Sequence, residues 1–149
     1  MNQVPTKIII HCSATKNFMH VPAKTIKKWH MDKGWSDIGY HIVIQPDGEV
    51  ELGRPLNVIG AHTRGFNRDS IGICMVGNDR FSKAAFRALR EYIYGLQMTY
   101  DIPYHKVFCH YEFTKHKTCP NMRAADLVAW LIYDNDDSIL EYIGKSPYT

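Results

Sequence analysis

The sequence predicts an α/β fold: one domain in which a central mixed β-sheet is flanked by about three α-helices. Three observations carry that reading. Residues 7–11 contain three consecutive isoleucines, short and β-branched, as suits a central strand buried on both faces. Pro46-Asp47-Gly48 separates two short apolar segments; proline presets φ and glycine accepts a positive one, so the pair reads as a hairpin. Phe86, Leu89, Ile93, Leu96 and Tyr100 recur at alternating spacings of three and four, the stripe of an amphipathic helix laid on a sheet.

Each element follows in order. The strand over 7–11 runs into a loop over 17–22. A helix starts at Pro22, where proline suits the first turn; Ile26, Trp29 and His30 share its face, and Gly34 stops it. The hairpin strands cover 40–45 and 49–52, the first carrying Tyr40 and His41. A polar segment over 53–69 is long enough to suggest function, and a buried strand resumes over 70–76. Ser82 caps the long helix. After Pro103 comes a short strand over 106–110, then irregular chain to Cys119-Pro120. A last helix turns Met122, Ala125, Ala129 and Ile132 inward. Trp29 and Trp130 sit at core spacing on their helices.

Composition narrows the function classes. The chain has 149 residues, 45% hydrophobic and 22% charged, an ordinary globular domain that needs no disulfide staples. No apolar run approaches the roughly 18 residues of a membrane span. Residues 1–7 lack the basic patch and apolar stretch of a secretory signal, so synthesis is expected to end in the cytoplasm. Eighteen Lys and Arg against fifteen Asp and Glu leave +3, spread without a dense cluster, which gives nucleic-acid binding no strong support. Cys12, Cys74, Cys109 and Cys119 lack the regular spacing of a disulfide scaffold and read as thiols. The eight histidines are where chemistry concentrates.

His11 and His110 stand at the ends of predicted strands, and Cys119 follows in a loop. Imidazole nitrogen and thiolate both suit zinc, and three protein ligands leave a fourth tetrahedral position for water. Spacing alone leaves this open beside ordinary core or surface histidines, because no short metal motif is present. Neighbours on a strand point to opposite faces, so Cys12 and Cys109 are expected to pack in the core. The same alternation argues against a Cys–His nucleophile built from either adjacent pair.

The strings His11-Cys12-Ser13-Ala14-Thr15, Gly34-Trp35-Ser36-Asp37-Ile38-Gly39-Tyr40-His41, Gly60-Ala61-His62 with Asn67, and Ser70-Ile71-Gly72 change the balance. With His110 and Cys119-Pro120, they resemble the zinc amidases that include the amidase-type lysozyme of T-odd phages. Peptidoglycan-recognition proteins belong to the same superfamily. The resemblance covers residues 7–133 and implies an N-acetylmuramoyl-L-alanine amidase, a phage-type endolysin cleaving the bond between N-acetylmuramic acid and L-alanine with zinc-activated water. It implies one Zn2+ held by His11, His110 and Cys119. Tyr40 matches the active-site tyrosine, and Lys117 the catalytic lysine two residues before the cysteine.

The loop is one residue longer here than in the phage relative, which makes Lys115 a rival to Lys117. The implied chemistry is attack by metal-activated water on the lactyl carbonyl, with Lys117 steadying the oxyanion and Tyr40 or Lys117 passing the proton to the leaving amine. His62 is expected to line the substrate cleft. The expected partner is peptidoglycan, met by a monomer without nucleic acid or membrane. A phage RNA polymerase is the alternative partner, although the segment that helps contact it in the relative is shorter here. A wall-binding module without catalysis, or a protein with a structural zinc, are the competing classes. The whole of 1–149 is expected to form one domain, with 134–149 as a peripheral tail. Access to the wall would come through a separate pore or lysis.

The remaining candidates have plainer readings. His30 and His41 are expected to make structural hydrogen bonds. His20, His105 and His116 belong to exposed loops. Asn67 and Ser70 brace the loop before the buried strand, and Trp35 is open to either packing or substrate.

Overall fold

The computed structural model describes residues 1–133 and Leu140. Its elements are β1 (Lys7–Cys12), α1 (Ala23–Asp32), β2 (Ile42–Ile44), β3 (Val50–Leu52), β4 (Ser70–Met75), α2 (Lys83–Tyr100), β5 (Val107–Cys109) and α3 (Ala124–Tyr133). Short 3-10 turns flank β5 at Tyr104–Lys106 and His110–Phe113. The five strands form one sheet in the order β3-β2-β4-β1-β5. β1 runs parallel to β4 and β5, β2 runs parallel to β4, and only the β2–β3 hairpin is antiparallel. Among the described residues, the expected mixed sheet with three helices is therefore what forms.

Period-two alternation splits the sheet into two apolar layers. Ile8, Ile10, Ile71, Ile73 and Met75 pack with Phe86, Leu89 and Ile93 of α2 and with Leu127, Trp130 and Leu131 of α3. Val43, Cys74 and Val76 face the other way, onto Ile26 of α1 and Ile38. The central strands are covered on both sides, which is why β1 and β2 are rich in isoleucine and every residue of β4 is buried. Ser82 caps α2, its hydroxyl accepting from the Ala85 N–H at 3.0 Å. In the hairpin, Gly48 takes φ +89°, and the Asp47 carboxylate accepts from the Glu49 N–H at 2.9 Å.

Three packing expectations need correction. Trp29 is 44% exposed: Ile26 and His30, four apart, define the buried face of α1, and Trp29 lies at its edge. In α3 the inward face is Leu127, Trp130 and Leu131 rather than Ala125, Ala129 and Ile132. That helix is apolar nearly all round, so spacing does not choose a stripe, and the bulkier side chains take the core. Met122 is buried as expected, just ahead of the helix. Finally, Tyr40 and His41 precede β2 rather than lying within it.

Among the described residues no helix is long and apolar enough to cross a membrane. The tail from Asp134 lies outside the described residues except for Leu140, which is buried in the larger apolar layer.

Candidate metal centre

β1 delivers His11. Its register partner is Cys74, which in turn pairs with Val43; both belong to the layer beneath α1, so the imidazole emerges on that face. β5 ends at Cys109, buried in the opposite layer, and His110 opens the following 3-10 turn. The Tyr111 N–H donates to the Cys119 carbonyl at 2.9 Å, folding the intervening loop back toward β1. There the Cys119 thiol accepts from the Cys12 N–H at 3.1 Å. The two Nδ1 atoms of His11 and His110 lie 3.1 Å apart. Ligand atoms of His11, His110 and Cys119 all fall within 4.8 Å of one another.

That donor set fits a borderline-soft divalent cation such as zinc. Two Nδ1 atoms this close either share one proton or turn both lone pairs to a cation. Burial, then the charges of His62, His110 and Lys117, hold His11 well below the usual 6.5. Burial, then Lys117, brings His110 down to about 4. Both rings are therefore neutral near pH 7, with lone pairs available. The contact with Cys12 and burial push the Cys119 thiol up, while the same contact draws Cys12 down. A coordinated cation reverses the effect at Cys119, because a ligating thiol loses its proton outright.

The cluster sits at the floor of a cleft of about 530 Å³ whose walls include Trp29, Trp35, Tyr40, His62 and Lys117. Tyr40 packs its ring 5.2 Å from that of His11 and 5.4 Å from that of His30. Burial first, then the Cys74, Cys119 and Cys12 thiols, raise its phenol well above 10, so it stays protonated and can donate. Lys117 is exposed at the rim of the cleft, with its charge felt by both histidines. The rival Lys115 is exposed and absent from the cleft wall.

Other sequence expectations divide. His30 accepts from the Gly39 N–H at 2.8 Å. His41 accepts from the Gly72 N–H at 3.0 Å through Nδ1 and meets the Val58 carbonyl at 2.7 Å through Nε2; both are structural bonds, as expected. Asn67 braces its loop by accepting from the His62 and Thr63 N–H groups at 2.8 and 2.7 Å. Cys109 packs in the core; Cys12 is buried as well, but beside the cleft, where its N–H donates to the Cys119 thiol. His116, exposed as expected, also lines the cleft. His62 borders the cleft yet is mostly buried, with Nδ1 2.9 Å from His11 Nε2 and Nε2 3.1 Å from Ser70 Oγ. Spacing gave no sign of that contact.

The buried neutral histidines predict a pH dependence for the metal-free protein. His11, His62 and His41 have folded pKa values depressed chiefly by burial, His62 to about 3. Below about 6.5 the unfolded chain takes up protons that the native state refuses. Stability is thus complete above that pH and lost as pH falls toward the folded values. The slope should reach about 1.4 kcal/mol per pH unit for each fully buried histidine. Urea midpoints of metal-free protein should fall steadily from pH 7 to pH 5; a flat profile would contradict the assignment.

Comparison with known proteins finds relatives over most of the chain. The profile of the N-acetylmuramoyl-L-alanine amidase family matches residues 1–122. The endolysin of Klebsiella phage KP32 is 36% identical over 136 residues, 86% of each chain. The endolysin of Escherichia phage T7 is 37% identical over 131 residues, 83% of each. Among solved structures, the endolysin amidase LysCS of Clostridium intestinale superposes with a TM-score of 0.79 at 29% identity, over 88% of this chain and 86% of that one. The match runs from β1 past the cysteine of the cleft, and on that ground this chain belongs to the N-acetylmuramoyl-L-alanine amidase family, alongside phage endolysins.

Proposed function

We propose that the chain hydrolyses the amide between the lactyl group of N-acetylmuramic acid and the first L-alanine of the peptidoglycan stem, with one Zn2+ held by His11, His110 and Cys119. The observation that carries this reading is the convergence of two imidazole nitrogens and a thiol within 4.8 Å at the floor of an open cleft. Bound there, zinc would polarise the lactyl carbonyl and make a coordinated water acidic enough to serve as nucleophile near pH 7. The protein supplies the rest.

Lys117 brings a positive charge to the rim of the cleft, where it can steady negative charge growing on the carbonyl oxygen. Tyr40 presents a protonated phenol beside His11 and can hand a proton toward the departing alanine amine, or orient the attacking water. Trp29 and Trp35, exposed on the cleft wall, offer apolar faces against which a sugar or stem peptide can rest. Access to the wall through a separate pore or lysis belongs to the same reading.

Digestion of purified peptidoglycan by zinc-loaded and chelated protein tests it. New alanine amino groups are expected only with the metal, and no new sugar reducing ends. Reducing ends would make the enzyme a glycosidase and defeat the proposal, as would equal amine release by chelated protein.

A further inference from the structure

We infer that His62 is a positioning residue which, through a Ser70–His62–His11 relay, fixes the tautomer of His11 so that its Nδ1 lone pair faces the metal cluster. The inference rests on the zinc reading above, but its first observable does not need the metal.

Hydrogen-bond partners fix where each proton of the relay sits. Ser70 Oγ lies 2.9 Å from both the Phe66 and Asn67 carbonyl oxygens, which can only accept. Its single proton goes to them, leaving a lone pair for His62 Nε2 at 3.1 Å. His62 must therefore carry hydrogen on Nε2, and its Nδ1 becomes an acceptor. That atom is 2.9 Å from His11 Nε2, which in turn must donate. His11 then has its remaining lone pair on Nδ1, the atom 3.1 Å from His110 Nδ1. Thr63 Oγ1 stands beside this contact at longer range, 3.0 Å from His62 and 3.3 Å from His11.

The ring of His62 has little freedom to leave this arrangement. A Cβ on Gly72 would come within 2.5 Å of the His62 ring, and one on Gly60 within 2.8 Å. Two glycines thus make the slot in which the ring lies, and the paired N–H bonds to Asn67 hold its backbone. Ligand histidines generally use their second nitrogen in this way, and loss of the partner typically costs 10–100-fold in metal affinity or activity. A substrate-binding role for His62 would need a ring nitrogen turned to the cleft, whereas both are spent inside the protein.

Nitrogen-15 spectra of the imidazoles in metal-free protein at neutral pH read the tautomers directly. His11 and His62 should both carry their proton on Nε2; a predominant Nδ1–H form of either overturns the relay. Zinc affinity, measured by competition with a chelator, should then fall about 10–100-fold in His62→Leu. It should recover most of the way in His62→Gln, whose side-chain oxygen can still accept from His11. Ser70→Ala should leave His11 a mixture of tautomers while the melting curve remains cooperative. Wild-type affinity in a folded His62→Leu protein would overturn the inference. If wild-type protein bound no zinc while showing the expected tautomers, the proposed function would fail and the relay would stand.

Discussion

Replacing Cys119 by serine is expected to strip the protein of its zinc and to reduce alanine release by more than about 100-fold. Among the described residues, three side chains converge to hold the cation, and a neutral hydroxyl is a much poorer partner for zinc than a thiolate. Losing one of three ligands should exceed the 10–100-fold cost of losing a group that merely orients a ligand. The side chain is half-buried and near-isosteric with serine, so circular dichroism and the melting curve of the metal-free variant should match those of metal-free wild type. Retention of one zinc per chain together with full turnover would remove Cys119 from the centre and the proposed chemistry with it.

Lys117→Ala and Tyr40→Phe should separate metal binding from proton and charge handling. Both should retain zinc. Removing the Lys117 charge is expected to lower kcat by about 10²–10³, the usual cost of a lost oxyanion partner. Removing the Tyr40 hydroxyl should lower it by about 10²–10⁴, the range for a positioned proton donor. Lys115→Ala, away from the cleft wall, should remain within a factor of about two of wild type. Steady-state rates on one peptidoglycan preparation decide the matter: full turnover in both Lys117→Ala and Tyr40→Phe would end the proposed division of labour.

Much of this architecture was legible before any coordinates. The isoleucine run, the Pro-Asp-Gly turn and the Phe86–Tyr100 stripe each combine propensity with periodicity, and each forms the expected element. α3 was harder because nearly every face of it is apolar, and side-chain volume rather than spacing decides what goes inward. The convergence of His11, His110 and Cys119 was suggested by strand ends and by kinship. What sequence could not supply was orientation. The turn of the Cys119 loop that brings its thiol to the end of β1 is held by the Tyr111–Cys119 backbone bond and by the Asn121 amide donating to the Asn78 carbonyl. The engagement of His62 with His11 follows from room left by Gly60 and Gly72, which lie on separate segments and leave no periodic trace.

The parallel pairing of β1 with β5 has a further implication for biogenesis. His11 and His110 are 99 positions apart, and neither the order of synthesis nor local structure brings them near. A large loop must close, at an entropic penalty, before the imidazole pair exists. A nascent chain emerging from the ribosome therefore has no preformed trap for a cation until His110 and Cys119 have been made. Once native, it should gain stability by mass action as the free ion concentration rises above the dissociation constant.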